Sequence, residues 1–298
     1  MSNTLTVSVV MITYNHEKFI EEAIGGVLMQ NCDYDIELVI ANDKSSDLTD
    51  QVINKYLSQV NIPKNIKIEY TNHKENKGMM PNFIWALQET QGKYISLCEG
   101  DDYWTDPLKL QKQVGFLEEH EEFTGIGSNS EVLIQETKEI RKFKNTENDE
   151  ILEIDKFLKG RFFHTASFMF KNDIVFPNEF SSVLSGDRLL FLLVASKGKI
   201  FYKNEITCTY RKNIGGISKR VTSSQMIKDI NFLNICKGHL SKKQLNILEK
   251  FILKTIFDYS HVIKFNHFIY VSSRLLFISG INYKVRKQLK KGFKKVNF

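Results

Sequence analysis

Residues 93–107 read KYISLCEGDDYWTDP. Lys93–Cys98 has the β-branched and aromatic content of a strand. Asp101 and Asp102 leave its end, and Pro107, five residues on, opens a helix that runs to about Glu121. Two hard-oxygen carboxylates at a strand end suit Mg²⁺ or Mn²⁺ bridging a diphosphate. Taken alone, the same pair also reads as a solvated acidic turn. The other strand ends of this half of the chain bear on that choice. Leu5–Ile12 (LTVSVVMI) is almost continuously apolar, as a strand buried on both faces is. Phe19, Ile20, Ala23, Ile24, Val27 and Leu28 recur at helical spacing, and Ile36–Ala41 is a second strand. Asp47 or Thr49 caps a helix to about Leu57, Ile66–Tyr70 alternates as a strand, and Asn82–Glu89 is helical. Strands alternating with helices imply crossover connections and a mostly parallel sheet. Ligands of such sheets bind beyond the carboxyl ends of the strands. Those ends carry Thr13-Tyr14-Asn15, Asn42-Asp43-Lys44-Ser45 and Glu99-Gly100-Asp101-Asp102, so acidic groups recur at one edge.

The 298 residues are 42% hydrophobic and 26% charged, a globular balance that excludes general disorder. The net charge of +6 is unevenly spread. Residues 264–298 hold nine Lys/Arg and no Asp/Glu, so residues 1–263, with 32 basic against 35 acidic side chains, carry −3. Cys32, Cys98, Cys208 and Cys236 are far apart with no CxxC pair, which argues against a disulfide framework or zinc site and suits a reducing cytoplasm. No signal-peptide pattern opens the chain, and His267–Tyr283 is too short and polar for a membrane span. GxGxxG and GxxxxGK[ST] are absent, so dinucleotide and P-loop sites lose their support. No recognisable DNA- or RNA-binding motif occurs, so no nucleic-acid partner is expected.

Beyond the helix after Pro107 comes a mixed region to about Arg220. Val183–Ala195 reads as a strongly apolar helix and Ile200–Arg211 as a strand. Helices alone follow, at Gln225–Leu240, at Lys242–Phe257 and from Ile269. The expected division is therefore an α/β domain over residues 1–220 and a helical extension with a basic tail over 221–298.

An ordered set of motifs resembles the family 2 glycosyltransferases of GT-A fold, inverting enzymes that use nucleotide-sugars. The set is Ser8-Val9-Val10-Met11-Ile12-Thr13-Tyr14-Asn15, Glu37–Asp47 (ELVIANDKSSD), Asn76-Lys77-Gly78, Gly92-Lys93-Tyr94-Ile95, Glu99–Trp104, Gly186-Asp187 and Tyr210-Arg211. The resemblance covers about residues 5–220 and implies a GT-A-like sheet flanked by helices. It implies that Thr13, Tyr14 and Asn15 line a nucleobase pocket and that Asp43 bonds base or ribose. It places Asp101 near the ribose and makes Asp102 the ligand of Mn²⁺ or Mg²⁺. The family's DxD motif reads Gly100-Asp101-Asp102 here, without its first Asp. Tyr14 as a loop aromatic and Asp43 as an Asx-turn residue are the plain alternatives.

Asp187 is the implied catalytic base. A carboxylate in the first turn of an apolar helix is held rigidly and favoured as an anion by the helix dipole; simple helix capping is its alternative, with Ser185 a rival cap. In Tyr210–Gly216 (YRKNIGG), Asn213 stands where the family often has His, and Arg211 and Lys212 are diphosphate contacts or solvated loop charges. His164 reads as structural, and Trp104 as a sugar platform or a core anchor. In the tail, Val285, Leu289, Phe293 and Val296 share one helical face among lysines, a pattern for an anionic membrane surface or for a solvated helix. The expected partners are a nucleotide-diphosphate sugar and a saccharide or lipid-linked saccharide acceptor. The expected location is cytoplasmic, peripheral at the inner membrane face. An inactive protein that keeps the fold for binding or scaffolding is the alternative. A nucleotidyltransferase is disfavoured, because Thr13–Glu17 is neither Gly-rich nor basic.

Overall fold

The computed structural model describes residues 6–212, 221–280 and 283–297. The chain packs as two compact units, one from residues 6–153, 162–175 and 197–212, the other from 154–161, 176–196, 221–280 and 283–297.

In the first unit the elements alternate as β1 (Val7–Thr13), α1 (Ile20–Leu28), β2 (Ile36–Asn42), α2 (Thr49–Gln59), β3 (Ile66–Asn72), α3 (Met79–Gln88), β4 (Tyr94–Leu97), β5 (Tyr103–Trp104), α4 (Lys109–Glu119), β6 (Phe123–Ile134), β7 (Glu139–Lys142) and β8 (Glu150–Leu152). β1, β2, β3 and β4 pair in parallel. The apolar runs of β1 and β2 are buried, as sequence patterning implies for strands covered on both faces. α1 turns Ile20, Ala23, Ile24, Val27 and Leu28 into the core, each larger side chain contributing roughly 1.5–3 kcal/mol. The N-cap position of α2 is Leu48, which makes no side-chain cap bond, while Asp47, one residue earlier, accepts the Thr49 N–H through Oδ1 at 3.0 Å.

β9 (Met169–Lys171) pairs antiparallel with β4 and β6, and β10 (Lys199–Lys212) runs parallel to β6. The strand order is β3-β2-β1-β4-β9-β6-β10-β5, with β7 on β6 and β8 on β10. Trp104 is buried and its Nε1 donates to the Ala166 carbonyl at 2.7 Å, so it anchors the core.

Lys109 is wholly buried beneath this sheet. Its Nζ donates to Ser96 Oγ (2.9 Å) and Gln113 Oε1 (2.8 Å) and lies 4.2 Å from the Trp104 ring centroid. Burial pushes the amine down to about 8. A base held below its unfolded pKa penalises the folded state fully at pH values under the folded pKa. The penalty fades as pH rises toward the unfolded value. Stability to urea is therefore expected to gain on the order of 2 kcal/mol between about pH 8 and pH 10. Lys109→Met should lack that gain. Parallel pH profiles for parent and variant would remove the lysine from this account.

The second unit contains α5 (Ile154–Phe157), all but the last residue of α6 (Gly186–Lys197), α7 (Ser223–Met226), α8 (Phe232–Ile235), α9 (Lys242–Tyr259), β11 (Ile263–Lys264), α10 (Phe265–Ser279), α11 (Tyr283–Phe293) and β12 (Val296–Asn297). The single boundary expected at residue 220 differs from this packing. Asp229 accepts the Leu184 and Ser185 N–H groups, Asn231 Nδ2 donates to Ser182 Oγ, and Gln244 Nε2 donates to Asp155 Oδ1. Segments 154–161 and 176–196 are thereby tied to the C-terminal helices.

The helix expected at Gln225–Leu240 is instead a chain of short α and 3₁₀ turns. Met226, Asp229, Phe232 and Cys236 are buried along it. Their spacing of three, three and four suits both turn types, so periodicity alone does not separate them. The tail helix stops at Phe293, short of Val296, which joins β12 in parallel pairing with β11. Lys295 Nζ donates to the Phe257 and Asp258 carbonyls at that point.

Candidate functional site

β1 sits between β2 and β4, and chain order reverses around it, the switch point at which a crevice opens in such sheets. Thr13 ends β1, Asp43 follows β2, and Glu99–Asp102 follow β4. The Gly100 N–H donates to the Ile12 carbonyl and the Asp43 N–H to the Thr13 carbonyl, which ties the three ends together.

The β1–β2 edge is laced by side chains. Asn15 and Lys44 both hold φ of 58° in the left-handed region, which costs energy for non-glycine residues and clusters at functional sites. Asn15 donates its N–H to Ser45 Oγ (2.9 Å), and its Oδ1 accepts the Ser46 N–H (2.8 Å). Thr13 is buried, with Oγ1 3.1 Å from His16 Nδ1. Tyr14 is 45% exposed and presents its ring at the edge. Asp43 is buried, and its two oxygens accept the Lys77 and Gly78 N–H groups at 2.7 and 2.9 Å. Gly78 adopts φ +89°, which suits glycine. Asp43 therefore clamps the Asn76-Lys77-Gly78 turn. The base or ribose contact implied for it can draw only on the two acceptor sites left on its carboxylate.

The acid pair divides in environment. Asp101 is partly exposed, its Oδ2 3.9 Å from His16 Nε2. Asp102 is 3% exposed and accepts the Arg211 N–H at 2.8 Å. Burial, followed by the charges of Asp101 and Glu99, pushes the Asp102 carboxyl well above the usual carboxylate range. Burial lowers His16, against the opposing pull of Asp101 and Asp47. Gly100 has its own reason for lacking a side chain. A Cβ there would lie 2.7 Å from Thr13 Oγ1 and 3.0 Å from His16 Nδ1. The acid absent from the motif is excluded by packing.

Arg211 departs from the diphosphate contact expected of it. It is 6% exposed, and its guanidinium lies 4.8 Å from the ring centroids of both Phe19 and Tyr103. Nε donates to the Asp101 carbonyl (2.9 Å), Nη1 to Gln135 Oε1 (3.2 Å) and Nη2 to Glu22. Three of its five N–H donors are engaged inside the protein, and Arg211 positions the acid pair. Neither His16 nor Glu22 carries a sequence signal for these contacts: His16 has no paired ligand spacing, and Glu22 lies 189 residues from its arginine. His164 is buried, with Nδ1 2.6 Å from Ser130 Oγ and its ring stacked on Tyr210, which bears out its structural reading. The Asn213–Gly216 part of the Tyr210 motif lies outside the described residues.

Among the described residues no group of three or more His, Cys, Asp or Glu side chains converges as a self-sufficient metal cage. A divalent cation shared with substrate phosphates asks for only one or two protein carboxylates. Asp101 and Asp102 supply that number, and a cation would relieve the like-charge crowding at Asp102. The donor set fits such an ion.

Asp187 belongs to the second unit, in the first turn of α6. Its Oδ2 pairs with Arg161 Nη1 at 3.0 Å. The start of the helix is fixed by Asp229, which accepts the Ser185 hydroxyl (2.6 Å) and the N–H groups of Leu184 and Ser185. Ser185 is thus engaged away from the helix end, and Asp187 projects from a clamped turn.

Four likenesses to known proteins, two of them to TarS, accompany this geometry. An uncharacterized protein of Mycobacterium tuberculosis (strain H37Rv) is 32% identical over 210 residues, 70% of this chain and 60% of that protein. The chain thus spans less than two thirds of that relative's length. TarS of Staphylococcus aureus, named a poly(ribitol-phosphate) β-N-acetylglucosaminyltransferase, is 28% identical over 191 residues, 59% of this chain and 30% of TarS. The crystal structure of TarS 1–349 with UDP superposes with a TM-score of 0.68 at 19% identity, covering 97% of this chain and 87% of that one. A Pyrobaculum calidifontis mannosyltransferase in complex with GDP-Man and Mn²⁺ gives 0.58 at 13% identity, covering 96% and 84%. These structures share the α/β fold of GT-A type. The family model for glycosyl transferase family 2 matches residues 8–175, more than half of the sequence, and the chain belongs to that family.

Proposed function

We propose that this protein transfers a sugar from a nucleotide-diphosphate sugar to an acceptor hydroxyl, with inversion at the anomeric carbon. The observation that carries the reading is the gathering of Tyr14, Asp43, Asp101 and Asp102 at one carboxyl edge of a family 2 sheet. TarS has been crystallised with UDP and with UDP-GlcNAc, which supports a donor of this class. Tyr14 offers an aromatic face to the base, Thr13 and Asn15 shape the loop beneath it, and Asp43 keeps acceptor capacity for base or ribose. Asp101 faces the ribose. Asp102, beside Asp101, would hold Mn²⁺ or Mg²⁺, whose charge would offset that of the departing diphosphate. Asp187 takes the proton of the attacking hydroxyl, and single displacement inverts the centre. The acceptor is a saccharide or lipid-linked saccharide of bacterial-type surface polysaccharide or glycolipid synthesis. Gly100, being demanded by Thr13 and His16, is no mark of an inactive scaffold.

Thermal shift with nucleoside diphosphates tests the site. Stabilisation is expected to be large with Mn²⁺ and small with chelator, because the acid pair repels an unscreened diphosphate. Asp102→Asn should abolish the Mn²⁺-dependent part while leaving the ligand-free melting temperature near that of the parent. Equal stabilisation with chelator and with Mn²⁺ would remove the metal. A variant that responds like the parent would free Asp102 of the role.

A further inference from the structure

The tail's apolar face reads from sequence as a membrane contact or one side of a solvated helix, but the fold uses much of it. Val285 is buried, Val296 is in β12, and a Cβ on Gly292 would lie 2.6 Å from the Phe257 ring. A different apolar face stays open. α10 buries Val271 and Leu275, while Phe265, Ile269, Tyr270 and Phe277 are 49, 51, 41 and 84% exposed. At 100° per residue these four, with Asn266 and Ser273, form one continuous stripe opposite the buried side. No charge interrupts it, since the sole ionic residue of α10, Arg274, pairs with Glu249. A solvated helix carries charge on its outer face.

α11 lies beside α10, with the Phe268 and Phe293 ring centroids 5.7 Å apart. Its outer side presents Tyr283, Lys284, Lys287 and Lys290, and residues 264–298 contain no acidic side chain to neutralise them. Burial, with the neighbouring Lys250 and Lys284, holds the Lys254 amine below its ordinary range. Surplus positive charge thus adjoins an uncharged aromatic stripe.

We infer that α10 and α11 form an interfacial anchor that lays the protein on an anionic phospholipid surface, with the α10 stripe at the headgroup–acyl boundary and the α11 lysines over the headgroups. Aromatic and apolar residues on one side and lysines beside them are the chemistry of such surfaces. The 15 residues of α10 span about 22 Å, short of the roughly 30 Å hydrocarbon core. No helix among the described residues is long and apolar enough to cross a membrane. The anchor lies in the second unit and does not depend on the proposed transfer chemistry.

Cosedimentation of the full chain with vesicles tests it. Binding is expected to phosphatidylcholine vesicles that contain phosphatidylglycerol, to fall with salt, and to be weak on pure phosphatidylcholine. Ile269→Ser with Phe277→Ser should weaken binding by at least tenfold. Lys284→Gln, Lys287→Gln and Lys290→Gln together should weaken it on the order of 10²-fold, at about 1 kcal/mol per charge. All these residues but Ile269 and Phe277 are polar and all are exposed, so circular-dichroism melts should match the parent. Failure of the parent to bind, or binding unmoved by the serine pair, overturns the inference. So does a parent dimer that the serine pair converts to monomer, which would assign the stripe to a second copy of the chain. Sedimentation reads no sugar transfer, so its failure leaves the donor reading standing.

Discussion

Asp187→Asn is expected to lower turnover of a nucleotide-sugar, read as release of nucleoside diphosphate, by roughly 10²- to 10⁴-fold. Asparagine keeps the size of the side chain and its hydrogen bonding, yet it takes no proton. The geometry around Asp187 is that of a carboxylate kept ready. Its place in the first turn of α6 favours the anion, Arg161 pairs with one oxygen, and Asp229 fixes the preceding backbone. On the proposed reading, the proton goes to the oxygen that Arg161 does not hold, Oδ1. Mn²⁺-dependent nucleoside-diphosphate binding should stay near the parental level, because the acid pair implied in that binding belongs to the other unit. The split separates a base from a binding group. A variant that keeps most of its turnover would reduce Asp187 to a partner for Arg161 at the start of the helix.

What the sequence made legible follows from how each element signals itself. β1 to β4 and α1 to α4 announce themselves because burial on both faces gives continuous apolar runs, the half-exposed β3 gives alternation, and burial of one helix face gives helical spacing. β6 does not. Its sequence FTGIGSNSEVLI carries small and polar residues in mid-strand. Gly125 and Gly127 are there because the Phe168 and Phe163 rings sit where their Cβ atoms would lie, at 2.9 and 2.5 Å. That is a tertiary reason with no periodic trace. The same holds at the site. Thr13, Tyr14, Asn15, Asp43, Asp101 and Asp102 could be found because strand ends are local features, and they do share one edge. Their division of labour could not. Asp43 is claimed by a turn 34 residues away, Asp102 by a backbone N–H 109 residues away, and Lys109, which no sequence pattern marks, is buried against Trp104. Tail residues show the converse error. Val285 and Val296 have the spacing of an interfacial helix, but the fold buries Val285 and takes Val296 into β12.

Arg211→Met is expected to cost about 3 kcal/mol of stability, from the range for removing one partner of a buried, hydrogen-bonded charge cluster. Glu22 is half-exposed and regains water, which holds the cost to the lower end. The Asp101 carbonyl and Gln135 Oε1 lose their donor, and the space between Phe19 and Tyr103 receives a thioether in place of a planar cation. The main-chain N–H to Asp102 survives the substitution, so the carboxylate stays in place while the nearest positive charge goes. That charge lowers the Asp102 carboxyl against burial and its acidic neighbours. Without it the carboxyl should stay protonated to higher pH, and Mn²⁺-dependent nucleoside-diphosphate binding should need a more alkaline buffer. Arg211→Lys restores the charge but not the fork of three directed donors, so it should recover the pH dependence better than the stability. Chemical denaturation and a pH series of thermal shifts with Mn²⁺ measure the two effects separately. A methionine variant as stable as the parent, but weak in nucleoside-diphosphate binding at every pH, would return Arg211 to the diphosphate contact expected from the sequence.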